Sequence, residues 1–493
     1  MKQLLDEAKR MLRINSVTAH GNEELANFTS SLVENRGLKT QLQQVMHSLE
    51  NVSKRQFNVI GVLGDPLVDK KTRKGLLLTT HLDTISPGLP ENWTATGGDP
   101  FAVTFQDGKI YGLGAADAKL DFLCKLKAID KFREKKLKMP IYLVGTCGGE
   151  LGMFGAKYLI KSMALNPRYV VVGAPTDMSV VYAHKSLNIF KVSIGYQMVA
   201  RDARGFNRRI DLHSFGVTAH GAYPQQGTNA IQQMIDFIRQ AAEDNFEMRF
   251  TRFDGGDTVN KVPDRASAQF YLTSHQFEDF KRYFRDTVGS EGKEDAFKVE
   301  LGGLGEMGVR FLPDVVFTCM NEVIDHFRTM ATQLERVKDK TFSPEFSTIN
   351  FGQFKQTLGG MELSFDLRLL PDQSSELVEK QIIKDLQAIA ARYPNLNIAS
   401  VRQRYNPQLS MTPEHELVKA CQAAQEASGI EIRTDKTSLS TEAAQFYQAG
   451  YEAVVFGAGT AEGNSHSPNE FNVMDHLEKS VTFYEKLIER TCL

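Results

Sequence analysis

Three observations predict an α/β chain built on a doubly wound mixed sheet, with a second α+β domain inserted into it. Short apolar runs (LLLTTH from Leu76, IYLVGT from Ile141, YVVVG from Tyr169, YEAVVF from Tyr451) alternate with helical segments, the grammar of buried strands joined by crossover helices. Each run stops at a turn rich in Gly, His, Asp or Glu, which is where open α/β sheets place their sites. Between about 188 and 399 longer alternating strands and long amphipathic helices take over, and after Pro407 the first grammar returns. The expected organisation is a discontinuous domain, 1–187 plus 400–493, holding an inserted domain, 188–399.

A chain of 493 residues that is 42% hydrophobic can build two sizeable cores. Its net charge of -2 gives no electrostatic reason to expect nucleic acid or an anionic membrane as partner. No apolar run approaches the ~18 residues of a membrane span. The opening MKQLLDEAKRMLRI reads as an amphipathic helix rather than a signal peptide. Five cysteines, odd in number and without a CxxC pair, point to the reduced cytoplasm.

In chain order, a helix is expected over Glu23–Asn35. Strands follow at Phe57–Val62 and Gly75–Thr80, with the charged turn DKKTRKG from Asp69 between them. His81 is a candidate metal ligand, and Asp83, two residues on, could accept its other ring N–H. YGLGAADAKLDF (Tyr111–Phe122) reads as a loop opening a buried helix, so Asp117 is either that helix's N-cap or a site carboxylate. Glu150, after the Ile141 run, is either a solvated loop residue or a ligand. The inserted region gives a helix Asn229–Ala242, strands Phe246–Asp254 and Ala266–Leu272, and a helix Gln276–Asp286. A helix Val323–Leu334, strands Ser347–Phe354 and Met361–Leu370, and a helix Ser375–Ala391 repeat that α-β-β-α order. Beyond it lie a helix His415–Ser428, a loop carrying His466 and Glu470, and a closing helix Met474–Arg490. Two imidazoles and two carboxylates, His81, Asp117, Glu150 and His466, suit zinc, with manganese or cobalt as alternatives.

With these motifs the chain resembles the zinc-dependent amidohydrolase and exopeptidase family of acetylornithine deacetylase, succinyl-diaminopimelate desuccinylase, aminoacylase and glutamate carboxypeptidase. THLDT, YGLGAADAK, ELGMFGA, HKS at His184, GVTAHGAYPQQGTNAI, GGDTVNKVPD, DLRLLP, STEA and GAGTAEGNSHSPNEF carry the resemblance. It implies a zinc-exopeptidase-like catalytic domain with an inserted α+β lid, acting on a small amide such as an N-acyl amino acid or a dipeptide. It also implies two metal ions bridged by Asp117. Glu150 and His466 would complete one shell, and His81, backed by Asp83, would hold the other ion. His220 matches the lid histidine that polarises the scissile carbonyl; Asn260 and Arg368 match lid positions that contact substrate. The inserted region is long enough for two lid units, as in longer dipeptidases of the family. A monomer imitating half of a dimer is therefore expected, with a homodimer as the alternative.

Two departures limit the resemblance. Gly149 stands where the family has the glutamate that acts as general base, a group worth about 10²–10⁴ in rate. Ala174, in GAPTD, stands where the second ion's carboxylate belongs, leaving Asp177 or water to complete that shell. Three outcomes follow: a weakened hydrolase, one in which Glu442 or Glu462 has become the base, or an inactive homologue that binds a small molecule or protein partner. Restoring both carboxylates, by Gly149→Glu with Ala174→Glu, is expected to raise amidase activity.

Overall fold

The computed structural model describes residues 2–65, 74–162, 165–200, 205–290, 292–304 and 309–493. Most of the expected charged turn after Asp69 lies outside them. The chain forms two compact units, Met1–His184 with Asn406–Leu493, and Lys185–Tyr405.

The first unit is built on a mixed sheet ordered Lys39–Gln44, Phe57–Leu63, Ile141–Thr146, Leu76–His81, Tyr169–Gly173, Glu452–Val455, Val180–His184 and Leu409–Ser410, with Thr434–Thr437 also paired to Val180–His184. Its central strands, Leu76–His81, Ile141–Thr146 and Tyr169–Gly173, are parallel neighbours and buried along their whole length. Burial on both faces is why they read as continuous apolar runs rather than as alternation. Helices Glu23–Glu34, Lys119–Ile129 and Met474–Cys492 pack on one face, and Phe154–Ser162 and Ala443–Gln448 on the other. The edge strand Lys39–Gln44, KTQLQQ, is polar and half exposed, so no apolar run announces it.

The second unit carries an eight-stranded sheet ordered Phe297–Leu304, Phe206–Phe215, Arg265–Thr273, Arg249–Gly255, Thr348–Thr357, Gly360–Arg368, Leu187–Gly195 and Asn397–Asn406. Sorted by chain order this is two β-α-β-β-α-β halves. One half runs from Phe206 to Leu304. The other begins at Leu187–Gly195, is interrupted by the whole first half, and resumes with the helix Asp314–Leu334. The halves meet where Asp254 and Gly255 pair with Lys355 and Phe354. The expected α-β-β-α repeat corresponds to the middle of each half. The strands that open and close the halves carry no apolar run, because one face of the sheet is polar, as in FNRRIDLHSF and NIASVRQRYN. The helices of both halves share one apolar core, from Ile231 and Phe250 to Phe327, Phe365 and Ile382.

Candidate metal centre

His81 ends a central parallel strand, and the turn carrying Glu150 follows its neighbour, Ile141–Thr146. The His81 Nε2 atom is 3.0 Å from Asp117 Oδ1. His466 Nε2 lies 3.4 Å from Asp117 Oδ2 and 3.2 Å from Glu150 Oε1. His81, Asp117 and Glu150 each offer a ligand atom within 4.8 Å of the others. Asp117 caps nothing: the following helix runs Lys119–Ile129 with Ala118 at its N-cap and no side-chain cap bond. His466 has φ +61°, in the left-handed region that residues with a Cβ visit uncommonly.

Asp83 departs from expectation. The His81 Nδ1 atom lies 3.1 Å from the backbone carbonyl of Asp83 and 3.7 Å from its carboxylate. That buried carboxylate instead accepts bonds from the Thr18 hydroxyl at 2.6 Å, the Gly149 N–H at 2.9 Å and the Glu150 N–H at 3.2 Å. Asp83 thus fixes both the turn that presents Glu150 and, through its own backbone, the imidazole.

The electrostatics call for a cation. Burial works against a charged His81, but the bond and charge of Asp117, with Glu150 and Asp83, hold it well above the usual imidazole range. Glu150 first, then Asp117, push His466 up to about 11 despite burial. Asp117 is held far below the carboxylate range, its bonds to both histidines outweighing burial. Two protons or one divalent ion would offset two of the three negative charges that face these imidazoles. The donor set, two imidazoles and two carboxylates, fits zinc.

A second set of groups aligns the loops. Glu470, which the sequence marks only as one more loop glutamate, is buried. It accepts the N–H groups of Gly114, Ala116 and Asp117 at 3.0, 2.7 and 2.9 Å. Asn472 donates to Ala115 O at 3.0 Å, and the strand Phe471–Val473 pairs with Lys109–Tyr111. The Asp117 and His466 loops are thereby joined.

The two departures also acquire geometry. A Cβ at Gly149 would lie 2.6 Å from both Cβ and Cγ of His81, so the ring packs where a side chain would start. Restoring the carboxylate pair by Gly149→Glu with Ala174→Glu would therefore require His81 to shift. Ala174 follows the strand Tyr169–Gly173. Asp177 is turned to other partners: the Thr460 hydroxyl at 3.2 Å and Arg433 at 3.5 Å. Glu462 is exposed. Glu442 is buried, accepts from the Thr146 hydroxyl at 2.8 and 3.0 Å, and is pushed by burial up to about 7.

In the second unit His220, Asn260 and Arg368 fall in one neighbourhood. His220 bridges to Lys261, and the Gly221 N–H donates to Asn260 O at 2.7 Å. A Cβ on Gly221 would be 2.8 Å from Asp366 Oδ2. Asp366 is bound bidentately by Arg368 at 2.8 and 3.0 Å, both residues being buried.

The model of one protein family, Peptidase family M20/M25/M40, matches residues 77–490. Acetylornithine deacetylase of Proteus mirabilis is 22% identical over 485 residues, covering 97% of this chain and 92% of that protein. The Photorhabdus laumondii acetylornithine deacetylase is 29% identical over 259 residues, 49% of this chain and 58% of that protein. Among solved structures, the aminoacylhistidine dipeptidase from Vibrio alginolyticus superposes with a TM-score of 0.67 at 16% identity, covering 99% of this chain and 96% of that one. Human carnosine dipeptidase 1 gives 0.57 at 14% identity, with 99% and 97% covered. Both show the fold.

Proposed function

The chain belongs to Peptidase family M20/M25/M40, a family of amide- and peptide-bond hydrolases, and from that premise we propose that it is a metal-dependent hydrolase of a small amide, of the N-acyl amino acid deacylase or dipeptidase type. One observation carries the metal dependence: His81, Asp117, Glu150 and His466 converge at the C-terminal ends of parallel strands, with ligand atoms 3.0 to 3.4 Å apart from one pair to the next. These four would hold zinc, with cobalt or manganese as alternatives. A divalent ion supplies Lewis-acid polarisation and a water of lowered pKa.

The chain's own groups divide the remaining work. Asp83 and Glu470 hold the ligand loops in place. His220 takes the role the resemblance implies, polarising the scissile carbonyl, and Asn260 and Arg368 contact the substrate. Gly149 supplies no general base, so turnover is expected about 10²–10⁴ below that of a hydrolase with one. The proposal is tested with N-acetyl amino acids, N-succinyl amino acids and dipeptides in the presence of Zn²⁺, Co²⁺ or Mn²⁺. Metal-dependent turnover that His466→Ala abolishes supports it, and His220→Ala should lower kcat with metal content unchanged.

A second reading is favoured by Gly149 and Ala174 together: an inactive homologue that uses the cleft to bind a small molecule or partner. No turnover by the metal-loaded chain on the whole panel would select it. No described helix is long and apolar enough to cross a membrane, and a cytoplasmic monomer is the form proposed for either reading.

A further inference from the structure

We propose that this centre holds one divalent ion rather than two. The inference rests on the metal reading above and concerns only how many ions the side chains can keep.

A catalytic zinc takes about three protein ligands and keeps one position open. Asp117, Glu150 and His466 satisfy that count for one ion. A second ion on the other side of Asp117 would have His81 and a shared carboxylate and nothing more. The two histidines lie on different oxygens of Asp117, His81 Nε2 at 3.0 Å from Oδ1 and His466 Nε2 at 3.4 Å from Oδ2, and the one other carboxylate within 4.8 Å of the His81 and Asp117 ligand atoms among the described residues is Glu150, which His466 already meets at 3.2 Å. His81 therefore points into the same space as Glu150.

Nearby carboxylates that could complete a second shell already have donors. Asp83 lies on the Nδ1 side of the ring, away from Nε2, and takes bonds from Thr18, Gly149 and Glu150. Asp121 is buried against Tyr484 at 2.6 Å, Thr80 at 2.8 Å and Lys125 at 2.8 Å. Asp177 faces Thr460 and Arg433, Glu442 holds Thr146, and Glu470 holds three backbone N–H groups. The strand Tyr169–Gly173 lies beside the His81 strand, with Gly173 paired to Thr80. The next residue, Ala174, has no donor atom on its side chain, and the family resemblance implies a carboxylate ligand of the second ion at this position.

The test counts ions. The chain is stripped with a chelator, dialysed against Zn²⁺, gel-filtered and analysed for metal per chain. In parallel, Mn²⁺ loading is followed by electron paramagnetic resonance, which separates an isolated ion from an exchange-coupled pair. The expected result is one Zn²⁺ per chain and the isolated Mn²⁺ signal. Ala174→Glu, with its melting temperature checked, should raise the count to two and produce the coupled signal. Two ions on the unaltered chain would overturn the inference and leave the metal reading intact; none would overturn both. A folded Ala174→Glu chain that still keeps one ion would overturn the argument that this missing carboxylate sets the count. If that variant does not fold, the count on the unaltered chain decides.

Discussion

A single missing side chain governs the geometry around His81. Because His81 Cβ and Cγ lie 2.6 Å from where a Gly149 Cβ would be, even Gly149→Ala must shift the imidazole from the position it holds beside Asp117. Displacing groups that orient a metal ligand typically costs about 10–100-fold in affinity. Gly149→Ala is expected to weaken Zn²⁺ binding by that order in a competition titration with a chromophoric chelator, and Gly149→Glu by at least as much. A Gly149→Glu chain that binds metal as tightly as the original and turns over faster would reinstate the simple rescue. The histidines also set a pH dependence. In the metal-free chain Glu150 and Asp117 hold His466 up to about 11, so it carries a proton at pH 7.5, and Asp117 and Glu150 lift His81 above the ordinary imidazole range against the effect of burial. Ligation needs the neutral ring, so binding one ion through His466 should release about one proton, and affinity should rise as pH climbs towards 11. Calorimetry in buffers of different ionisation enthalpy measures the number; release of none would mean that His466 is not a ligand. His81, at the end of a buried strand, and Asp117, two residues before a helix, are the candidates that local pattern marks most directly, whereas His466 stands in a loop well beyond the strand Glu452–Val455. The role of Asp83 was misread, because sequence spacing places its side chain near His81 but cannot tell a carboxylate contact from a backbone one.

At the scale of elements, the centre is two loops held in register by one buried acid. Removing the Glu470 carboxylate orphans the N–H groups of Gly114, Ala116 and Asp117. An unsatisfied buried donor costs about 1–3 kcal/mol, so Glu470→Ala is expected to cost roughly 3 kcal/mol or more in urea unfolding and to weaken metal binding. Glu470→Gln keeps one acceptor oxygen and should fall between. If Glu470→Ala loses stability but binds Zn²⁺ unchanged, Glu470 supports the fold and not the centre. Nothing in the sequence marks this residue, since its partners are backbone groups some 350 positions away and a loop glutamate is ordinarily solvated. The same physics divides the strands that could be read from those that could not. Central strands buried on both faces show as apolar runs, whereas Lys39–Gln44 at an edge and Phe206–Phe215 on a half-polar sheet carry no such run.

For the whole molecule, the decisive feature is the seam inside the second unit. On the helix Ala230–Glu243, Asp236 and Arg239 reach Arg328 and Asp325 of the helix Asp314–Leu334, each pair at 2.7 Å. The spacing is Asp-x-x-Arg on both helices, and each Asp meets the other's Arg. That reciprocity is the signature of an isologous, two-fold interface, here formed within one chain. Across the same seam Phe317 stacks on Phe250 with centroids 4.8 Å apart, and the sheet continues from Gly255 to Phe354. The edge that a partner's sheet would otherwise extend is therefore paired internally. At the outer edges the sheet ends in strands bearing Lys298 and Glu300 on one side and Arg402 and Arg404 on the other, charges that discourage further pairing. A monomer is the expected state. Sedimentation equilibrium at micromolar concentration should give a mass near the 55.2 kDa of one chain. A value about twice that would mean that a second, separate surface drives association, because the two-fold seam is already occupied from within.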